Sequence, residues 1–272
     1  MHAWIIKTIR SLIDWMHSVL DWFGRYEVNI LVAMLVLLAA VLGFIVVADE
    51  VASGNTLRFD EWALRILRKP DDPATARGPG WLAEVGRDIT ALGGIAFLTL
   101  LTVTIAGFLW LRKMYAAMWL LLASALGGLV MSLLLKHSFH RPRPELVPHL
   151  SQVYTTSFPS GHAMLSATVF LTLGALLGRF VRERPLKAYF MIVAGTVTFL
   201  VGLSRVYMGV HYPTDVLAGW TAGLAWALVC WLIARFMQHR GMIEQSVAAG
   251  SAKEHVGSRP GRPRTPGERR RR

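Results

Sequence analysis

The 272 residues are 54% hydrophobic, with ten Trp and a mean hydropathy of +0.43, too apolar for an ordinary soluble domain of this length. The formal net charge is +12, but residues 235–272 hold ten Lys/Arg against three Asp/Glu, so most of the excess is one tail and not a basic core. Cys230 is the one cysteine, which excludes an internal disulfide and reads as a small apolar residue.

Residues 4–23 place Lys7, Arg10, Asp14, His17 and Asp21 along one helical face. Ile5, Ile9, Leu12, Met16, Val19 and Phe23 lie along the other. That pattern predicts an amphipathic interfacial helix within residues 1–28, with a helix packed on a partner or on its own bundle as the alternative. A signal peptide does not fit, because charges interrupt the apolar stretch.

Six uncharged runs follow: 29–48, 89–111, 114–135, 163–178, 188–204 and 216–234. A helix needs roughly 20 residues, within a range of about 17–25, to cross hydrocarbon. Alternating segments of the β-barrel kind are absent. The expected fold is therefore all-α: a six-helix transmembrane bundle over residues 29–236. The 49–88 connection should carry short extramembrane helices, at Phe59–Arg68 and from Trp81 to Leu92, broken by Pro70, Pro73 and Gly78-Pro79-Gly80. It reads as a lid, a lipid gate or a capped hairpin. Residues 237–272 are expected to be a disordered basic tail. Contact with anionic lipid is plausible for it, and nucleic-acid binding is not expected, since neither aromatics nor a fold support it.

The Arg112-Lys113 turn and the basic 179–187 loop predict cytoplasmic ends, which also puts both termini inside. The 49–88, 136–161 and 205–215 connections then face outward from the inner (plasma) membrane. Lys136, Arg141, Arg143 and Arg205 are basic against this sorting rule, which suggests a task other than topology.

Three polar clusters share that outward face: Lys136 to Pro144, Pro159 to His162, and Ser204 to Asp215. Each has a plain structural reading alone. Lys136 can snorkel at a helix end, Ser160 can cap a helix, and His211 with Asp215 can be a polar pair beside a first-turn Pro213. Together they fit phosphoryl transfer. Arg143 and Arg205 can grip phosphate oxygens, and Lys136 adds a point charge. Ser160, Gly161 and the free N–H groups of a helix N-terminus complete a phosphate cradle. His211, with Asp215 four residues on to hold one ring nitrogen, is the expected nucleophile, and His162 the expected general acid and base. No metal or cofactor is expected, because the cations supply the charge and no Asp/Glu cluster suggests Mg²⁺. His17, His137, His140 and His149 fall outside this site.

Lys-x6-Arg-Pro (Lys136, Arg143, Pro144), Pro-Ser-Gly-His (Pro159–His162) and Ser-Arg-x5-His-x3-Asp (Ser204, Arg205, His211, Asp215) resemble, in order and spacing, the three signature motifs of the type 2 phosphatidic acid phosphatase superfamily. The resemblance covers about residues 89–236. Arg141-Pro142 is a second Arg-Pro pair, and the six-residue gap from Lys136 selects Arg143. The resemblance implies a metal-independent membrane phosphatase with a phosphohistidine intermediate. Soluble vanadium haloperoxidases share the motifs, and the six apolar runs argue against them. Expected substrates are lipid phosphates or pyrophosphates: undecaprenyl pyrophosphate, phosphatidylglycerophosphate, phosphatidic acid or lipid A phosphates. A lipid phosphotransferase and a non-catalytic transporter or binder of anionic headgroups are the alternatives.

Overall fold

The computed structural model describes residues 28–144 and 156–239, so the readings made for residues 1–27 and for the tail beyond 239 lie outside the described residues. Eight helices occupy the described residues: α1 Val28–Ala52, α2 Leu57–Ile66, α3 Gly80–Leu92, α4 Ile95–Leu111, α5 Tyr115–Ser138, α6 Gly161–Phe180, α7 Arg184–Tyr207 and α8 Pro213–His239. No strand forms among them, only an isolated Arg68–Ala76 bridge in the α2–α3 connection. The compact unit ends at Ala234, within α8.

Five helices (α1, α5, α6, α7 and α8) are long and apolar enough to cross a membrane. The run at 89–111 differs from the straight span its composition predicts. It is broken at Gly93-Gly94, and α3 and α4 meet there at 47°, so the described residues reach six crossings only if this bent pair counts as one. The reason is packing. A Cβ on Gly93 would lie 2.3 Å from Val201 Cγ1 and 3.3 Å from the His162 carbonyl oxygen, so α7 and α6 press against the break itself. The other helices overrun their uncharged runs by a few residues, because Lys136 and Arg205 belong to the last turns of α5 and α7. Helices α2 and α3 occupy the two stretches expected to be helical in the 49–88 connection, and α3 runs on to Leu92 as the first half of the bent pair.

Large apolar side chains such as Leu35, Leu42, Leu100, Val103, Leu133 and Ile192 point outward. An apolar surface of this extent suits lipid rather than water. α1 turns only a sparse stripe of Ala33, Ala40, Ala48 and Val51 inward. α6 is the central helix, with Ala163 to Val169 buried in an unbroken row. One apolar core joins Leu98 and Leu109 of α4, Leu121 of α5 and Leu165, Val169 and Leu173 of α6. In lipid, helices associate by close approach rather than by expelling water. α8 shows this against α6: a Cβ on Gly219 would sit 2.6 Å from the Ser160 carbonyl oxygen, and one on Gly223 2.4 Å from that of Met164. These two contacts set the start of α8 against the start of α6, where the site lies.

Candidate active site

Every cluster read from the sequence arrives at one end of the bundle. The last turn of α5 brings Lys136, the turn before α6 brings Pro159 and Ser160, the last turn of α7 brings Arg205, the α7–α8 connection brings His211, and the first turn of α8 brings Asp215. Backbone bonds sew these pieces together. Ser160 N–H donates to the Asp215 carbonyl at 2.9 Å, and Ser157 N–H donates to the Arg141 carbonyl at 2.9 Å. Lys136 Nζ donates to the Thr156 carbonyl at 3.1 Å, and the Thr156 hydroxyl returns a bond to the Lys136 carbonyl at 2.9 Å. The Lys136 side chain crosses the start of α6, where a Cβ on Gly161 would meet its Cε at 3.3 Å. Arg143 donates to the Val210 carbonyl at 3.2 Å, beside His211, while Pro144 and Pro159 are fully buried.

Ser160 occupies the N-cap position of α6 but makes no side-chain cap bond. Its Oγ is buried without a hydrogen-bond partner, as is Nε of Arg205. Buried polar atoms nearly always find partners, and an orphan calls for an explanation. The Ser160 hydroxyl is held at the N-terminus of a 20-residue helix, a place that favours an anion, and the Arg205 N–H is a second donor left over at the end of α7. The cradle fits a phosphate group, whose oxygens accept from N–H and O–H donors alike.

His211 is almost wholly buried, and its Nδ1 lies 3.4 Å from Asp215 Oδ2 and 3.4 Å from Ser157 Oγ. Both distances are long for hydrogen bonds. Asp215 Oδ2 also accepts from the Ser157 hydroxyl and, at 3.0 Å, from Tyr212 N–H. Burial pushes the His211 imidazole down to about 4; Asp215 opposes the shift, and the Arg205 and Arg143 charges add to it. Ordinary pH lies on the neutral side of that value. With Nδ1 turned to the carboxylate, Nε2 is the ring nitrogen on the far side from it. Arg143 is likewise lowered by burial, with Asp215 opposing.

His162 stands in the first turn of α6 against the α3–α4 break, where a Cβ on Gly94 would lie 4.0 Å from its Nε2. Ser204 finds its place in packing: its Oγ donates to the Val201 carbonyl at 2.7 Å and lies 2.8 Å from the Thr90 hydroxyl, which also receives Arg205 at 3.4 Å. Thr90 and Ser157 are the site-lining groups that sequence reading missed. Neither sits in a spacing pattern; each is brought in by a distant element.

The chain is similar to known proteins of one family. The profile of the PAP2 superfamily matches residues 116–238. Phosphatidylglycerophosphatase B of Bacillus subtilis is 40% identical over 148 residues, 53% of this chain and 71% of that protein. An undecaprenyl-diphosphatase of Sulfolobus acidocaldarius is 40% identical over 67 residues, 25% of this chain and 28% of that one. A crystal structure of the first transmembrane PAP2-type phosphatidylglycerolphosphate phosphatase, also from Bacillus subtilis, superposes with a TM-score of 0.63 at 31% identity, covering 74% of this chain and 96% of that one.

Proposed function

The chain belongs to the PAP2 superfamily, and we propose that it is an integral membrane phosphatase that hydrolyses a lipid phosphate or pyrophosphate through a phosphohistidine. One observation carries this reading: Ser160 Oγ at the start of α6 and Nε of Arg205 are both buried and unpaired, and Ser160 N–H donates to the carbonyl of Asp215, whose carboxylate faces the buried His211. Lys136, Arg143, Ser160, Gly161 and Arg205 hold the phosphoryl oxygens. His211 Nε2 attacks phosphorus, forming an N–P bond as the P–O bond to the lipid breaks, and His162 gives its proton to the leaving oxygen. Water then attacks phosphorus and passes a proton to His162. The N–P bond breaks, releasing inorganic phosphate and restoring both rings. Asp215 keeps the His211 ring oriented and stabilises its positive charge in the intermediate. The charge development is met by fixed cations and helix N–H groups, the larger part of phosphoryl-transfer catalysis.

Six crossings, with α3–α4 as the bent one, leave both termini on one side, which we take as the cytoplasm, with the site at the outward face of the inner membrane, where a lipid headgroup arrives from the leaflet. The basic Arg112-Lys113 turn and 179–187 loop support this orientation. The relatives' names put phosphatidylglycerophosphate and undecaprenyl pyrophosphate first among the candidate substrates. The test is phosphate release by purified protein in chelator from a panel of these lipids, phosphatidic acid and lipid A, with His211→Ala beside the wild type. Phosphate released by the wild type and not by the variant is the expected result. A requirement for added metal, or full activity in His211→Ala, overturns the mechanism.

A further inference from the structure

Arg141 is the Arg-Pro arginine that the motif spacing passes over, yet it bridges two buried carboxylates near the site. Its Nη1 donates to Asp215 Oδ1 at 2.7 Å and to Thr214 Oγ1 at 2.8 Å. Its Nη2 donates to Asp60 Oδ2 at 2.6 Å and to Thr56 Oγ1 at 3.3 Å. The guanidinium lies over the Tyr212 ring, 4.3 Å from its centroid. The Arg141 side chain is 10% exposed, and both carboxylates are 0% exposed.

Asp60 comes from α2, in the 49–88 connection, and does more than pair with Arg141. Its Oδ1 accepts Thr214 N–H at 3.1 Å, and its Oδ2 accepts the Thr214 hydroxyl at 2.6 Å. It thus caps the first turn of α8 from outside that helix, one residue before Asp215. Leu64, four residues on and therefore on the same face of α2, is also 0% exposed and packs with Ala163, Val206 and Val216. α2 is pinned by both side chains at once.

The geometry points to Asp60 and Arg141 as positioning residues for the Asp215–His211 pair. Asp215 has two oxygens with separate duties. Arg141 takes Oδ1, which leaves Oδ2 facing His211 Nδ1. Asp60 fixes the other edge of the guanidinium and the backbone from which Asp215 projects. A buried carboxylate–guanidinium–carboxylate set is a poor source of stability, because desolvating three charges offsets most of their attraction. Its value here is placement: it holds the carboxylate at one angle and keeps Arg141 from turning into the phosphate cradle served by Arg143 and Arg205.

This inference rests on the phosphatase reading above. Its test is the kcat-against-KM split of Asp60→Asn, Arg141→Gln, Arg141→Lys and the Asp60→Asn/Arg141→Gln double variant, each checked for folding by thermal unfolding in detergent. We expect kcat to fall roughly 100-fold in Arg141→Gln and roughly 10-fold in Asp60→Asn, the scale of a misplacement of about 1 Å at a catalytic group, with KM within about threefold of wild type. The double variant should fall no further than Arg141→Gln, because the two act as one unit, and Arg141→Lys should recover part of the loss. Folded variants with kcat within threefold of wild type, or losses confined to thermal stability, overturn it. If Arg141→Gln does not fold, Asp60→Asn, which keeps the shape of the side chain, decides by the same criterion. Wild type that releases no phosphate overturns the phosphatase reading and this inference together. Active wild type, inactive His211→Ala and a wild-type-like Asp60→Asn overturn this inference alone.

Discussion

Midway along α5 and α6 the helices meet through small residues and single hydroxyl pairs. Ser124 Oγ and Thr172 Oγ1 lie 2.7 Å apart, and Trp226 Nε1 donates to the Ser124 carbonyl at 3.0 Å. At the site end other segments meet through charge: Asp60 of α2, Arg141 beyond the end of α5, His211 of the α7–α8 connection and Asp215 of α8 form one linked set, with the two carboxylates and the imidazole buried. Buried hydroxyls satisfy one another cheaply, whereas buried charges need partners on every side. The difference separates what holds the bundle from what works in it. Polar contacts in the middle join neutral groups and are replaceable. Those at the site end are shared, and losing one partner disturbs several others.

The strongest way to test that division is to remove the nucleophile. His211→Ala should lower kcat by roughly 10⁴-fold or more, as loss of a covalent catalyst does elsewhere, while the protein stays folded. His162→Ala should cost about 10²–10⁴-fold, the usual worth of a general acid. Trapping of radiolabelled phosphate on His162→Ala but not on His211→Ala would separate the two roles, and the reverse pattern would exchange them.

The pH dependence follows next. Burial, reinforced by Arg205 and Arg143 against Asp215, lowers the His211 value to about 4. A lowered value means that protonation, which blocks attack, sets in only at acid pH. The acid limb of kcat/KM attributable to the free enzyme should therefore lie near 4, below the usual histidine range of about 6.5. A limb at the ordinary value, unchanged between a phosphate monoester and a pyrophosphate substrate, would contradict a desolvated His211.

Much of this division was legible in the sequence. Lys136, Arg143, Ser160, Gly161, His162, Arg205, His211 and Asp215 stand in three short patterns whose spacing survives folding. Their meeting needs only that α5 and α7 end, and α6 and α8 begin, on one side. The break at Gly93-Gly94 also had a signal, two adjacent glycines, but an uncharged run hides it because glycine does not lower apolar content. Asp60, Thr90 and Ser157 had none. Asp60 lies 154 residues from Thr214 and reads as one more charge in a polar connection. Its burial is decided by Leu64 beside it and by the start of α8, and no local pattern encodes that. Arg141 was visible as a residue, but its partners were not, so spacing could assign the cradle to Arg143 without giving Arg141 a task.

The smallest predicted effects make the sharpest comparison, because the same atom is removed in each region. Ser157→Ala deletes a hydroxyl that donates to Asp215 and lies 3.4 Å from His211 Nδ1. It should lower kcat roughly tenfold, the order expected when one hydrogen bond to a catalytic carboxylate is lost. Ser124→Ala deletes a hydroxyl that is just as buried, but its partner Thr172 can turn to a carbonyl of its own helix. Interhelical bonds of this kind average about 0.6 kcal/mol in a membrane, so unfolding in detergent should shift slightly and kcat should remain at the wild-type level. If Ser124→Ala were instead the more damaging to turnover, the middle of the bundle would be transmitting to the site, and burial of a hydroxyl, rather than the charge it touches, would set its worth.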